Sequence, residues 1–336
     1  MSSSSSPSVV RIAAVQAASG WLDLQASVDK TCSLIADAAS GGAALVAFPE
    51  CFIPGYPAWI WTRPLDPELT IRYIANSLRL DSAEMEQIRA AAAAHNVTVV
   101  LGFSENDGNS LYISQATISG ATGELLMTRR KIKPTHMERT IFGDSSGDSL
   151  HNVVDVPEIG KVGALACWEH MQPLLKYHTH SQREEIHVAA WPALDPYVEN
   201  GGGNWGMSRE GCTALSQIYA LEGGAFVLHA SGVILQDGID LMGTSQGPIY
   251  NTPGGGCAAI FGPDGCRLTE PLPPTQEGLV FADFDKRRIL ATRMLLDTCG
   301  HYSRPDMLWL GVDSRARKHV QYAHHGCQDQ GTRDKI

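Results

Sequence analysis

A chain of 336 residues, 43% hydrophobic and 18% charged, is long enough to bury most of its apolar surface in a core, as one large α/β domain or two small ones. Its formal net charge is −10 and its basic residues are scattered, which argues against a nucleic-acid partner; the one basic cluster, Arg129-Arg130-Lys131 with Lys133, is short and interrupted by apolar residues. No apolar run is long enough to cross a bilayer, so no membrane partner is expected.

Residues 1–8 are polar and uncharged and read as a floppy leader, not a signal peptide. Val9 to Gln16 is a β pattern, Leu22 to Ala39 carries helical periodicity up to a Gly-Gly break, and Ala44 to Phe48 is a short strand of the kind buried on both faces. A helix is predicted over Ser82 to His95, with Asp81 as N-cap and Glu84 completing a capping box. Val97 to Phe103 is the next buried strand. Strands at Leu111 to Ser119 and Glu124 to Lys131 are joined by a turn at Ala121-Thr-Gly123.

The second half repeats this texture. Val162 to Ala166 is a buried strand ending at Cys167, followed by a helix from Pro173 to Arg183, a strand Ile186 to Ala190, a helix Arg209 to Leu221 and a strand Ala225 to Ala230. Ala258 to Phe261, the turn Gly262-Pro-Asp-Gly265 and Leu279 to Phe284 read as a further hairpin unit. With no linker between the halves, one domain is expected over residues 9–313, with a His-, Gln- and Asp-rich tail at 314–336. The eight cysteines are spread singly without a CxxC pair, unlike a disulfide framework or a zinc site; reduced thiols point to the cytoplasm.

Three reactive side chains stand at or just beyond strand ends, where ligands collect in α/β sheets: Glu50, Lys131 and Cys167. Each alone has a structural explanation, but together they form a workable machine. A thiolate is the reactive form of cysteine, and its ordinary pKa of about 8.5 must be lowered or bypassed. A carboxylate within reach takes the thiol proton and later returns it to a departing nitrogen. An ammonium beside them stabilises the negative charge that develops. If the segment is a strand, Lys133 points to the same face as Lys131, so spacing leaves both open.

The stretches Phe48-Pro-Glu-Cys-Phe-Ile-Pro-Gly-Tyr-Pro57, Arg130-Lys-Ile-Lys-Pro-Thr-His-Met-Glu-Arg139, Cys167-Trp-Glu-His-Met-Gln-Pro-Leu174 and Gly300-His-Tyr-Ser-Arg-Pro-Asp306 resemble the signature segments of the nitrilase superfamily. The resemblance runs over roughly residues 9 to 312. It implies an α-β-β-α four-layer sandwich, a catalytic set of Glu50, Lys131 and Cys167, and a supporting Glu138. Alignment on Arg-Lys puts the family lysine on Lys131. Pro-Thr-His-x-Glu-Arg and Cys-Trp-Glu-His resemble the true nitrilase branch, and the wider segments are similar to fungal aromatic and arylacetonitrile nitrilases. Cyanide hydratase and amidase stand as rivals on the same fold. The implied chemistry takes a small nitrile and needs no cofactor and no metal. The resemblance also implies self-association into dimers that extend into spirals or filaments.

Tyr56, Trp59, Trp61, Trp168 and Trp191 are candidates to line an aromatic-friendly pocket, with core packing as the other reading. His136 and His170 read as pocket or structural histidines. His178, His180 and His187 read as a solvated helix face in preference to a metal site. If the chain is extended at Cys51, that residue points away from Glu50 and is expected to pack in the core, and Cys257 and Cys266 are expected to flank a hairpin as thiols.

Overall fold

The computed structural model describes residues 9–157, 159–199, 203–317 and 320; the leader at 1–8 and most of the tail lie outside the described residues. The strands are β1 (Val9–Ala17), β2 (Ala43–Ala47), β3 (Thr98–Asp107), β4 (Ser110–Ile118), β5 (Leu125–Arg130), β6 (Val153–Val156), β7 (Gly160–Ala166), β8 (Ile186–Trp191), β9 (Phe226–Gly232), β10 (Ala259–Phe261) and β11 (Gly278–Asp285). The helices are α1 (Leu24–Ser40), α2 (Pro67–Asn76), α3 (Ala83–His95), α4 (Pro173–Ser181), α5 (Arg209–Gly223), α6 (Gln236–Met242) and α7 (Lys286–Leu295).

Strand alternation builds the layers. Ile12 and Ala14 of β1, Leu45 and Ala47 of β2, Val162 and Ala164 of β7, Val188 of β8 and Leu228 of β9 share one buried cluster, so two sheets pack face to face. The opposite faces carry Ala13, Val15, Val46, Val99 and Leu101, which meet Val28, Ile35, Ile88 and Ala92 of α1 and α3. On the other side Leu165, Ala189, Trp191 and Val227 meet Cys212, Tyr219 and Ala220 of α5. Helix, sheet, sheet, helix is the resulting order, and the fold is a single α/β domain of the nitrilase-type α-β-β-α sandwich.

The strands form one continuous ladder, β5-β4-β3-β2-β1-β9-β8-β7-β6, with β11 on β1 and β10 on β9, and it folds over into a first sheet (β5-β4-β3-β2-β1-β11) and a second (β6-β7-β8-β9-β10). They join where Gln16 and Ala17 of β1 pair with Ser231 and Gly232 of β9. β1, β2 and β3 are mutually parallel, as are β7, β8 and β9, so the carboxyl ends of the central strands of each sheet gather together.

Local signals explain most boundaries. The Asp23 side chain caps α1 at the Ala26 N–H, and the apolar positions Val28, Leu34, Ile35 and Ala38 fall on one face. The cap of α3 is Ser82, whose hydroxyl accepts from Met85 N–H, and not Asp81; the helix begins one residue later than predicted. Asp66 caps α2 at Leu69 N–H with Pro67 in the first turn, a signal passed over in the sequence. β6, α6 and α7 were likewise not predicted.

The predicted hairpin between 258 and 284 does not form. β10 pairs with β9 and β11 with β1, on different sheets. The Gly262–Gly265 turn does close, and Leu268 N–H returns to Ile260 carbonyl at 2.8 Å. Pro271, Pro273 and Pro274 then lack the donors a ladder needs, and the chain leaves for the other sheet. Among the described residues no helix is long and apolar enough to cross a membrane. The seven described cysteines are unbridged, Cys257 and Cys266 included.

Candidate active site

Glu50 follows β2 after Phe48-Pro49, and its N–H donates to the Trp191 carbonyl at 3.3 Å, tying the end of β2 to the end of β8 in the other sheet. The approach is close: a Cβ on Gly102 of β3 would sit 2.1 Å from the Pro49 carbonyl oxygen, so glycine is required there. Phe52 N–H completes the contact by donating to the Gly102 carbonyl at 2.9 Å. Cys51 has φ 49, so the chain is not extended at that point, yet the residue is buried in the core as expected.

Lys131 stands one residue past β5, its N–H donating to Ile113 carbonyl at 2.7 Å. Its Nζ donates to Glu50 Oε1 at 2.9 Å and to Glu138 Oε2 at 2.8 Å, and all three side chains are buried. Lys133 does not share this face. β5 ends at Arg130, strand parity is lost, and the Lys133 ammonium is exposed against Asp144 at 2.6 Å.

Cys167 opens a short 3₁₀ turn after β7, with φ 49, in the left-handed region that non-glycine residues seldom occupy. Its Sγ and carboxylate oxygens of Glu50 and Glu138 all lie within 4.8 Å of one another. The Lys131 ammonium bridges the two carboxylates, filling the place between them that a cation would take.

Glu138 is held by three donors: Lys131 Nζ, the Thr135 N–H at 2.6 Å and the Tyr56 hydroxyl at 3.1 Å. Trp61 Nε1 donates in turn to the Tyr56 oxygen at 3.1 Å. One oxygen of Glu50, Oε2, is buried with no partner among the described residues.

The electrostatics follow from burial. Glu50 is pushed up to about 8 by desolvation, which the Lys131 ammonium opposes and the Glu138 and Glu169 charges reinforce. Burial and the Glu50 charge push the Cys167 thiol well above its usual range, against the pull of Lys131. Burial works against the Lys131 ammonium, but Glu138 and Glu50 hold its pKa well above the ordinary lysine value. The resting cluster therefore holds a thiol, not a preformed thiolate.

A cavity of ≈ 680 Å³ opens over Cys167 and Glu138, lined by Tyr56, Trp61, Trp168, Tyr197, Tyr250, Leu194, Met207 and Ile249 among others. Trp191 does not line it. It is fully buried, donates from Nε1 to Ser216 Oγ at 3.0 Å and stacks on His170. Trp59 is likewise core, edge-on to Tyr73. His136 stacks flat on Trp61 at 5.5 Å, one ring removed from the cavity.

The histidines correct a second expectation. His180 and His187 are not on a solvated face; both are buried around Glu184, which accepts from His187 Nδ1 at 2.7 Å, His180 Nδ1 at 3.2 Å and the Tyr219 hydroxyl at 2.6 Å. Burial raises the Glu184 pKa, but its histidine neighbours outweigh that and hold it well below the usual carboxylate range. His170 donates from Nδ1 to the Cys167 carbonyl at 2.7 Å and meets His187 through Nε2 at 3.0 Å. His180 lies on the short α4 and His187 on β8, and both side chains turn inward because a buried acid accepts from them.

Two supporting residues escaped the sequence reading. Glu169 accepts from Ala166 N–H at 2.9 Å and Ile132 N–H at 2.8 Å, neighbours of Cys167 and Lys131. Arg129 neutralises it. Their signal was present: a charged residue inside an apolar strand, and an acid two positions after the cysteine.

The family model for carbon-nitrogen hydrolases matches residues 11–294, and the chain belongs to that family, in its nitrilase branch. Among curated proteins it is 59% identical over 314 residues to an arylacetonitrilase of Aspergillus kawachii, covering 94% of this chain and 95% of the relative. It is 60% identical over 319 residues to an arylacetonitrilase of Aspergillus oryzae, covering 94% of each. Among solved structures, the C. elegans NitFhit protein matches with a TM-score of 0.68 at 18% identity, over 94% of this chain and 70% of that one. An amidase from Nesterenkonia sp. matches with a TM-score of 0.60 at 18% identity, over 84% and 92%. These two structures share the fold.

Proposed function

We propose that the protein is a nitrilase that hydrolyses arylacetonitriles and related aromatic nitriles to carboxylic acid and ammonia through a covalent intermediate on Cys167. The observation that carries this reading is the buried Lys131 ammonium bridging Glu50 and Glu138 beside the cysteine. The names of the curated relatives support the substrate class, as does a cavity rich in aromatic side chains.

Glu50 Oε2, the unpartnered oxygen, takes the Cys167 proton as sulfur attacks the nitrile carbon. The developing nitrogen anion is met by the free N–H of Lys131 and the backbone N–H of Trp168, and it takes up the proton to give a thioimidate. Water, deprotonated by Glu50, adds to the same carbon. Ammonia leaves and a thioester remains, which a second water hydrolyses to the acid. Expulsion of the thiolate instead releases some amide. Glu138 keeps Lys131 in place.

Phenylacetonitrile, benzonitrile, an aliphatic nitrile and cyanide, assayed for ammonia and amide together, test the reading. Ammonia from the aromatic substrates supports it. Formamide from cyanide alone makes the protein a hydratase, and turnover of amides but not nitriles an amidase.

We also infer self-association into dimers and longer spirals. Exposed Met171 and Leu174 at α4 and Ile218 and Leu221 on α5 support an apolar contact face. A fully active, strictly monomeric protein by light scattering refutes this. Unbridged cysteines support a cytoplasmic location, which cell fractionation tests. Limited proteolysis that leaves a core of about residues 9–313 intact supports one catalytic unit with a removable leader and tail.

A further inference from the structure

Tyr250 carries an anomaly the scheme above does not use. It lines the cavity with Cys167 and Glu138 and is only 2% exposed, yet its O–H has no acceptor among the described residues, and only the Ala193 N–H approaches its oxygen. Buried hydroxyls are nearly always paired, and an unpaired one calls for an explanation. The residue also sits at φ 54, an uncommon backbone region for a bulky side chain. Two hydrogen bonds hold it there: its N–H donates to Asp195 Oδ2 at 3.3 Å, and Thr244 Oγ1 donates to its carbonyl at 2.6 Å. Strain kept by such supports collects at functional sites.

The neighbouring tyrosine behaves otherwise. Tyr56 meets the Tyr250 ring edge-on at 5.6 Å, but its hydroxyl is committed to Glu138. Tyr250 thus brings an uncommitted donor to the cavity. Burial, with the charges of Asp195 and Glu50, pushes its phenol well above the ordinary range, so it keeps its proton at any working pH.

A count of donors shows where one is wanted. The species formed when water adds to the thioimidate bears sulfur, nitrogen and a new oxygen on one carbon. Lys131 has three N–H groups, two of them spent on Glu50 and Glu138. Its third and the Trp168 N–H serve the nitrogen, which leaves the oxygen without a donor.

We propose that Tyr250 is a catalytic residue of the hydration step, its phenol donating a hydrogen bond to the water-derived oxygen. In that step the water oxygen bonds to the thioimidate carbon, the C=N pair moves onto nitrogen, and both water protons pass to that nitrogen by way of Glu50; the oxygen is left as an oxyanion beside an ammonium, and breaking the C–N bond then releases ammonia and leaves the thioester. Nothing is oxidised or reduced. The inference rests on the nitrile reading above and assigns one residue within it.

Tyr250→Phe keeps the ring and its packing and removes only the hydroxyl. Wild type and variant are mixed with phenylacetonitrile, and the Cys167 adduct is followed by intact-protein mass while ammonia is measured in parallel. The expected result is adduct formation within twofold of wild type, a standing thioimidate adduct, and ammonia release lowered by about a hundredfold, as for loss of one oxyanion donor. Wild-type ammonia release by the variant overturns the role, as does an equal fall in adduct formation and turnover, which marks a packing residue. A wild-type protein that yields neither adduct nor ammonia overturns the nitrile reading and this inference with it.

Discussion

Arg129 and Glu169 form a two-pronged ion pair, at 2.8 and 2.7 Å, with side-chain exposures of 0% and 3%. The same carboxylate holds the residue before Cys167 and the residue after Lys131, so the pair sets the spacing of thiol and ammonium. Removing one member strands a buried charge. Arg129→Met is expected to cost about 3–5 kcal/mol of stability, read by urea unfolding. The double variant Arg129→Met/Glu169→Met should regain only part of that loss, because two buried N–H groups then lack their acceptor.

The two lysines of the motif separate cleanly. Lys131→Met faces two buried carboxylates with no counter-charge, and ammonia release should fall by at least about a thousandfold. Lys133→Met removes an exposed pair and should leave turnover within twofold, with stability changed by less than about 0.5 kcal/mol. A dead Lys133 variant beside an active Lys131 variant would reverse the assignment.

Cys167→Ala should abolish ammonia release, by at least about a thousandfold. Cys257→Ala and Cys266→Ala should retain it, since neither residue lines the cavity over Cys167. Comparing the three at equal concentration of folded protein isolates the nucleophile from general thiol loss.

The pH profile follows from Glu50. Its carboxyl must be ionised to accept the thiol proton, and its pKa is raised to about 8. kcat/KM should therefore climb as pH rises through about 8 and level off above it. The Glu138 charge is one cause of that elevation, so Glu138→Gln should move the limb to lower pH as well as slow the reaction. A limb near pH 4 to 5 in the wild type contradicts the assignment of Glu50 as base.

Much of this was legible in the sequence because buried parallel strands are continuously apolar. Ala44 to Phe48 and Val162 to Ala166 announce themselves, and Glu50 and Cys167 stand just beyond them. Spacing did not separate Lys131 from Lys133, since that depends on β5 ending at Arg130, and only the resemblance pointed to Lys131. Nor was the fate of β10 and β11, whose partners lie on two different sheets. Trp191, His180 and His187 look the same in sequence whether they face a cavity, water or a buried acid. Tyr250 gave no local signal. Its position comes from Asp195 and Thr244, contacts made by the fold.

Glu50 and Lys131 descend from one sheet and Cys167 from the other, and the sheets meet along a short ladder at Gln16–Ser231 and Ala17–Gly232. A chain with one half organised would own a base and an ammonium, or a thiol, but never the full set. Recovery of ammonia-forming activity after dilution from denaturant is thus a clock for the meeting of the halves. It should lag behind the return of far-ultraviolet dichroism, and the lag measures how long two finished sheets wait for each other.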